Sequence, residues 1–196
     1  MAAISRRRLI HRGAVGGLAL LGAASLAAGP ARSEPSRADE VSMLGVALSL
    51  EHVQARFYSQ AARVEAIRPD LLEFARIAAA HEEEHIAALR ALLGPAAGAA
   101  PRIDLWQRAG DDAAFAHMAV RLEDLSVRAL NGLAGALSPA ALAETARIAS
   151  VDARHAAWIR GLVGVTPAHH VRDEGRTTAE MAEALERVGL SADLLT

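Results

Sequence analysis

The stretch 80-AHEEEHIAALRALLG-94 decides how this chain folds. Three consecutive glutamates and a histidine stand inside an apolar, alanine-rich run. Glu82 and His85 are three residues apart, so on an α-helix they share one face, about 60° apart around the axis. A solvated charge run would account for Glu82, Glu83 and Glu84 without any function. Turned inward with Ala78, Ile86 and Leu89, Glu82 and His85 instead form a buried carboxylate–imidazole pair, leaving Glu83 and Glu84 as surface neighbours. The other helices decide between the two.

The chain has 196 residues, 52% of them hydrophobic, which is enough for one domain with a proper core. Aromatics make up only 3%, while alanine and leucine dominate, favouring helices over sheets. The absence of cysteine excludes disulfides, thiolate zinc sites and iron–sulfur clusters. All 21 basic residues are arginine, and five of them fall before the first acid at Glu34. The remainder carries sixteen arginines against 23 acids, about −7, which argues against nucleic acid or an anionic membrane as a partner held by bulk charge.

Residues 1–33 have the layout of an export signal: a basic start, an uncharged stretch from Gly13 to Ala31, then small residues. Ser5-Arg6-Arg7-Arg8-Leu9-Ile10 resembles a twin-arginine signal, which implies passage through the twin-arginine translocase. Candidate cleavage points follow Ala27, Ala31 or Ser33. The expected location is periplasmic or extracellular, with a membrane anchor as the outcome of an uncleaved signal.

Pro69, Pro95, Pro139 and Pro167 divide residues 34–165 into four helical blocks. Their expected bounds are about 37–67, 69–93, 111–137 and 139–163. Asp111 and Ser138 read as N-caps, and Gly94 and Gly164 as C-terminal stops. Links of one or two residues join the first pair and the last pair, forcing antiparallel hairpins. Residues 94–110 are long enough to cross a bundle roughly 40 Å tall, pinned by Ile103, Leu105 and Trp106. Residues 166–196 read as a polar loop and a short amphipathic helix, about 178–188, which offers a face for a homodimer contact.

Two segments repeat without gaps. EEEHIAALRALLG (82–94) aligns with DARHAAWIRGLVG (152–164), and LEHVQARF (50–57) with LEDLSVRA (122–129). A third echo, 73–78 with 144–149, is one residue out of register. The chain is best described as two similar helical hairpins.

Each hairpin carries the same chemistry. Glu51 lies on an apolar stripe with Leu44, Leu48, Ala55 and Tyr58; Glu123 lies with Ala116, Ala119, Val127 and Leu130. Glu82 with His85, and Asp152 with His155, also face apolar neighbours. Counted from the expected turns at about 1.5 Å per residue, the four acids fall near one level at mid-bundle. Burying an unpaired carboxylate costs several kcal/mol, so this many inward acids require a cation. The oxygen-rich donor set with two imidazoles suits iron or manganese.

One Glu from each of two helices, with Glu-x-x-His or its Asp variant from the other two, resembles the binuclear metal carboxylate proteins of the ferritin-like superfamily. More narrowly, LEHVQARFY and HEEEHIAALR resemble exported bacterial ferritin-like domains related to plant desiccation-associated proteins. The resemblance implies an all-α, ferritin-like four-helix bundle with a long crossover between its second and third helices. It also implies a binuclear site of Glu51, Glu82, His85, Glu123, Asp152 and His155. Glu82 and Asp152 would stand between the metals, with Glu51 and Glu123 terminal. The implied chemistry is oxidase, peroxidase or catalase-like turnover of O₂ or peroxide. The competing class is a non-enzymatic stress- or desiccation-associated bundle that sequesters metal. Asp152 stands where the pattern has Glu, one methylene shorter, which puts full occupancy of the second metal in question.

Four other features have plain readings. Tyr58 is a core aromatic with its hydroxyl near the site. Arg56 and Arg128 are surface ion-pair residues, His169-His170 with Asp173 belong to a polar loop rather than a second metal site, and Trp158 is packing.

Overall fold

The computed structural model describes residues 36–101, 103, 110–187 and 190–191. The expected export signal, Leu105, Trp106 and Val188 lie outside the described residues. Four long helices are present: α1 (Arg37–Ala61), α2 (Pro69–Leu93), α3 (Asp112–Leu133) and α4 (Pro139–Leu162). A shorter α5 (Thr178–Arg187) follows, and the described residues contain no strand. None of these helices is long and apolar enough to cross a membrane.

Local chemistry starts and stops each helix. The Asp111 carboxylate accepts the Ala114 N–H at 2.8 Å, and the Ser138 hydroxyl accepts that of Ala141 ahead of Pro139. Gly94 and Gly164 take φ of +57° and +73°, the left-handed conformation that ends a helix.

The link between α1 and α2 is longer than the expected one or two residues. Pro69 disfavours helical backbone at Arg68, which is extended with ψ 155°. The helix stops earlier, at Ala61, and tight turns through Val64 carry Ile67 back into the core, where it is 2% exposed. Likewise α3 ends at Leu133 rather than Leu137, because a 3₁₀ turn over Ala134–Ala136 leads into the extended Leu137 and the Ser138 cap.

Helix α1 packs on α2 and α3 on α4, with α2–α4 and α1–α3 contacts closing the bundle. All three phenylalanines and the sole tyrosine meet in its core. Phe57 stacks on Phe115 at 5.5 Å between ring centroids, while Phe74 meets Tyr58 edge-on at 5.6 Å and Trp158 at 5.0 Å. Ile103 of the crossover packs against the same core.

The C-terminal segment docks on its own chain. Met181 and Leu185 of α5 are fully buried, and α5 packs on α3. The apolar face read as a dimer contact is thus used internally. Before α5, the Arg176 N–H donates to the Arg128 carbonyl at 2.9 Å. Backbone approaches backbone here: a Cβ on Gly132 would stand 1.9 Å from the Arg176 carbonyl oxygen. Gly132→Ala is expected to undock residues 166–187 at a cost of about 1–3 kcal/mol while the four-helix bundle persists. Hydrogen exchange followed by mass spectrometry would show this as lost protection confined to that segment. Protection equal to wild type would mean that the contact relaxes freely.

Candidate metal centre

The inward stripes of α1 to α4 bring all six sequence-selected residues into one buried cluster. Glu51, Glu82, Glu123 and Asp152 are fully buried, and His85 and His155 nearly so, whereas Glu83 and Glu84 face solvent. Each imidazole turns Nδ1 towards the acids. His85 Nδ1 stands 2.8 Å from Glu82 Oε2, 3.1 Å from Glu51 Oε2 and 3.5 Å from Asp152 Oδ1. His155 Nδ1 stands 3.2 Å from Glu82 Oε1 and 3.5 Å from Glu123 Oε1. Glu82 therefore spans the two histidines, one oxygen to each.

Two ligand sets result, each with donor atoms within 4.8 Å of one another: Glu51, Glu82, His85 and Asp152, and Glu82, Glu123, Asp152 and His155. Both contain Glu82 and Asp152. Glu82 Oε1, Glu123 Oε2, Asp152 Oδ1 and His155 Nδ1 are buried without any hydrogen-bond partner. Orphaned atoms of this kind are costly unless something completes them, and four within the two ligand sets fit a bound cation. The cluster could hold a metal ion and is compatible with a two-metal site. His169, His170 and Asp173 form no such set among the described residues.

Three residues around the cluster hold its members in place. Ser126 donates to Asp152 Oδ2 at 2.7 Å and lies 3.2 Å from Glu51 Oε1. The Tyr58 hydroxyl donates to Glu123 Oε1. His81 Nδ1 is 2.9 Å from His155 Nε2, with the two rings stacked at 11° between planes. Sequence reasoning missed Ser126 and His81. Ser126 carried a signal, lying three residues after Glu123 on the same helix face. His81 carried none, because it reaches His155 only through the packing of α2 on α4. Among the described residues neither Arg56 nor Arg128 makes a side-chain ion pair; Asp124, the acid one turn before Arg128, gives both its oxygens to Arg160. Trp158 does pack on Phe74, and it also lines an open pocket of about 420 Å³ with His81, Arg154 and His155.

The electrostatics follow from burial. Burial, reinforced by the Glu82 charge, pushes Glu51 up to about 8 and Glu123 up to about 7. Burial and then the charges of Glu51, Glu123 and Glu82 raise Asp152 well above the usual carboxylate range. Burial would lower both imidazoles, but hydrogen bonding of His85 Nδ1 to the Glu51 and Glu82 carboxylates outweighs it, raising His85 to about 10. The Glu123 and Glu82 carboxylates, 3.5 and 3.2 Å from its Nδ1, outweigh burial at His155 and raise it to about 9. Glu82 alone goes down, to about 2, because the His155 and His85 imidazoles beside its two oxygens favour the ionised form more than burial opposes it.

An antiparallel helical bundle with a buried carboxylate–histidine cluster shared by its four helices defines the class. A family model described as a ferritin-like domain matches residues 39–165. The chain belongs to the ferritin-like domain family. No curated protein matches it.

These shifts fix how the metal-free protein responds to pH. Raised Glu51, Glu123, His85 and His155 mean that the folded state holds more protons than the unfolded chain from about pH 4.5 to about pH 10. Stability is then lost as pH rises through that window. The depressed Glu82 acts oppositely, but only below its ordinary value of 4.5. The melting temperature in chelator is accordingly expected to be higher at pH 6 than at pH 9, with the slope weakened by Glu51→Gln and Glu123→Gln. A metal-free melting temperature that rises over this range would contradict the protonated, buried cluster.

Proposed function

We propose that this protein binds two iron or manganese ions in the bundle and uses them in redox chemistry with O₂ or peroxide after export. The observation that carries the reading is the pair of ligand sets sharing Glu82 and Asp152, with four buried ligand atoms left unpartnered. On this reading Glu51 and His85 complete one metal's ligands, and Glu123 and His155 the other's. Two redox-active ions in this position supply paired one-electron steps towards a bound oxidant.

The chain's own residues orient that chemistry. For His155 to offer Nδ1 as a ligand, its proton must sit on Nε2, where it is donated to His81 Nδ1. Tyr58 holds its proton against Glu123, and burial together with the Glu123 and Glu82 charges keeps the phenol neutral. Phe57, Phe74 and Phe115 keep water from that side of the cluster. The pocket ending on His155 is the described opening that leads to a cluster residue, and it suits a small oxidant. Residues 1–33 support export through the twin-arginine translocase to the periplasm or beyond.

Protein purified from the exported fraction is expected to hold between one and two equivalents of iron or manganese and to consume peroxide. Replacing His85 and His155 with Ala should remove the metal while leaving helix content unchanged. Metal-free protein after anaerobic loading would refute the site, whereas full loading without turnover would favour the metal-sequestering alternative. Changing Arg6 and Arg7 to lysine should strand the chain in the cytoplasm; an unchanged periplasmic yield would remove the twin-arginine route.

Asp152 makes the two metals unequal. Its Oδ2 is engaged by Ser126, and its free Oδ1 lies on the His85 side. The metal next to His155 should be the more weakly held. Calorimetric titration is expected to show two separate steps in the wild type and closer steps in Asp152→Glu, which reaches about 1.5 Å further. Ser126→Ala should bring the steps together as well. Isotherms identical in all three proteins would take Asp152 out of the site.

A further inference from the structure

We infer that the outer face of α3 carries a second ligand site, one for a small phosphate-type oxyanion. Arg121 and Arg128 stand seven residues apart on α3, two turns along one helix face. Arg176 of the docked C-terminal segment and Arg187 at the end of α5 join them, with Asp124, Leu125 and Ala184, in lining a cavity of about 230 Å³. That volume lies below the roughly 300–1,000 Å³ of pockets for drug-sized ligands, so the occupant is a small ion.

The acid that should neutralise these arginines is already taken. Asp124 is three residues after Arg121 and four before Arg128, the local partner of both on a helix. Instead, Arg160 of α4 donates to both of its carboxylate oxygens. Among the described residues, none of Arg121, Arg128, Arg176 and Arg187 makes a side-chain ion pair or hydrogen bond. Arg121, Arg128 and Arg176 are nevertheless half-buried.

The cluster cannot easily relax apart. The Arg176 backbone is bonded to the Arg128 carbonyl, and Gly132 and Gly175 meet backbone to backbone just beyond it. Four guanidiniums are thus held around one cavity in a domain whose overall charge is negative. Asp124, engaged by Arg160, and Glu180, which feels the Arg176 charge, offset these arginines only in part, and the positive excess favours a small anion. Guanidinium forks match the geometry of phosphate oxygens in pairs, which a halide cannot exploit. The site is independent of the metal cluster, because none of its lining residues belongs to either ligand set.

The test is calorimetric titration of inorganic phosphate and of pyrophosphate into the whole chain, metal-loaded and chelator-treated, at ionic strength held constant with chloride. One saturable site per chain is expected, with Kd at or below about 1 mM and equal in the two metal states. Arg128→Gln and Arg176→Gln should each weaken binding about tenfold or more. In phosphate-free buffer both variants should melt at or above the wild-type temperature, because one repelling charge is gone, and the rise in melting temperature with phosphate should vanish. Should either variant fail to fold, Arg187→Gln, at the exposed edge of the cavity, decides by the same readings. Absence of saturable binding up to about 10 mM, or binding that the arginine variants leave unchanged, overturns the proposal. Binding seen only in the metal-loaded form, and insensitive to these substitutions, would place phosphate on the metals and overturn it equally.

Discussion

Four carboxylates and two imidazoles packed into one apolar interior set the terms for the rest of this molecule. Acids of the same sign at hydrogen-bonding distance cannot all ionise without a cation among them. Without a metal, the cluster meets this constraint with protons, as the raised Glu51, Glu123 and Asp152 and the charged histidines show. A metal meets the same constraint by replacing those protons, so binding and proton release are one event. Four ligand atoms that find no hydrogen bond within the protein mark where the replacement occurs.

The two halves of the bundle repeat each other, yet their surroundings differ. Tyr58 aligns with Leu130 by the repeat, so a phenol reaches Glu123 while no hydroxyl from the matching position reaches Glu51. Gln54 aligns with Ser126. Ser126 bonds Asp152, whereas both amide atoms of the fully buried Gln54 are unpartnered; the structure offers no physical account of that amide. His81 aligns with Val151, so only His155 has an imidazole behind it. Duplicated ligands therefore stand in unlike settings, with the open pocket on the His155 side.

The C-terminal segment adds a third kind of chemistry to the bundle. Its short helix closes over α3 through Met181 and Leu185, and in doing so brings Arg176 and Arg187 to a face that already carries Arg121 and Arg128. The Arg160–Asp124 pair links that face to the interior, since Asp124 follows Glu123 and Arg160 lies five residues after His155. Anion cavity and metal cluster therefore lie on opposite sides of one helix turn while sharing no residue.

Helix identity, the proline and glycine boundaries, and the six clustered residues were legible in the sequence. Each rests on a local rule: Pro69 and Pro139 fix first turns, Ser138 and Asp111 cap, and Glu-x-x-His spacing puts two side chains on one face. The length of α1 was not legible, because Pro69 imposes extended backbone on Arg68 and burial of Ile67 then selects a turn over a further helical turn. Nor was His81, whose role comes from a contact across helices rather than along one; Ser126 was signalled by its place one turn after Glu123, but its bond to Asp152 crosses from α3 to α4. The fate of Arg128 was hidden for the same reason: its local partner Asp124 is claimed by Arg160 from a different helix. Spacing along a helix determines which residues share a face. Only the packing of one helix against another decides which of those faces meet, and so which charges are paired and which are left for a ligand.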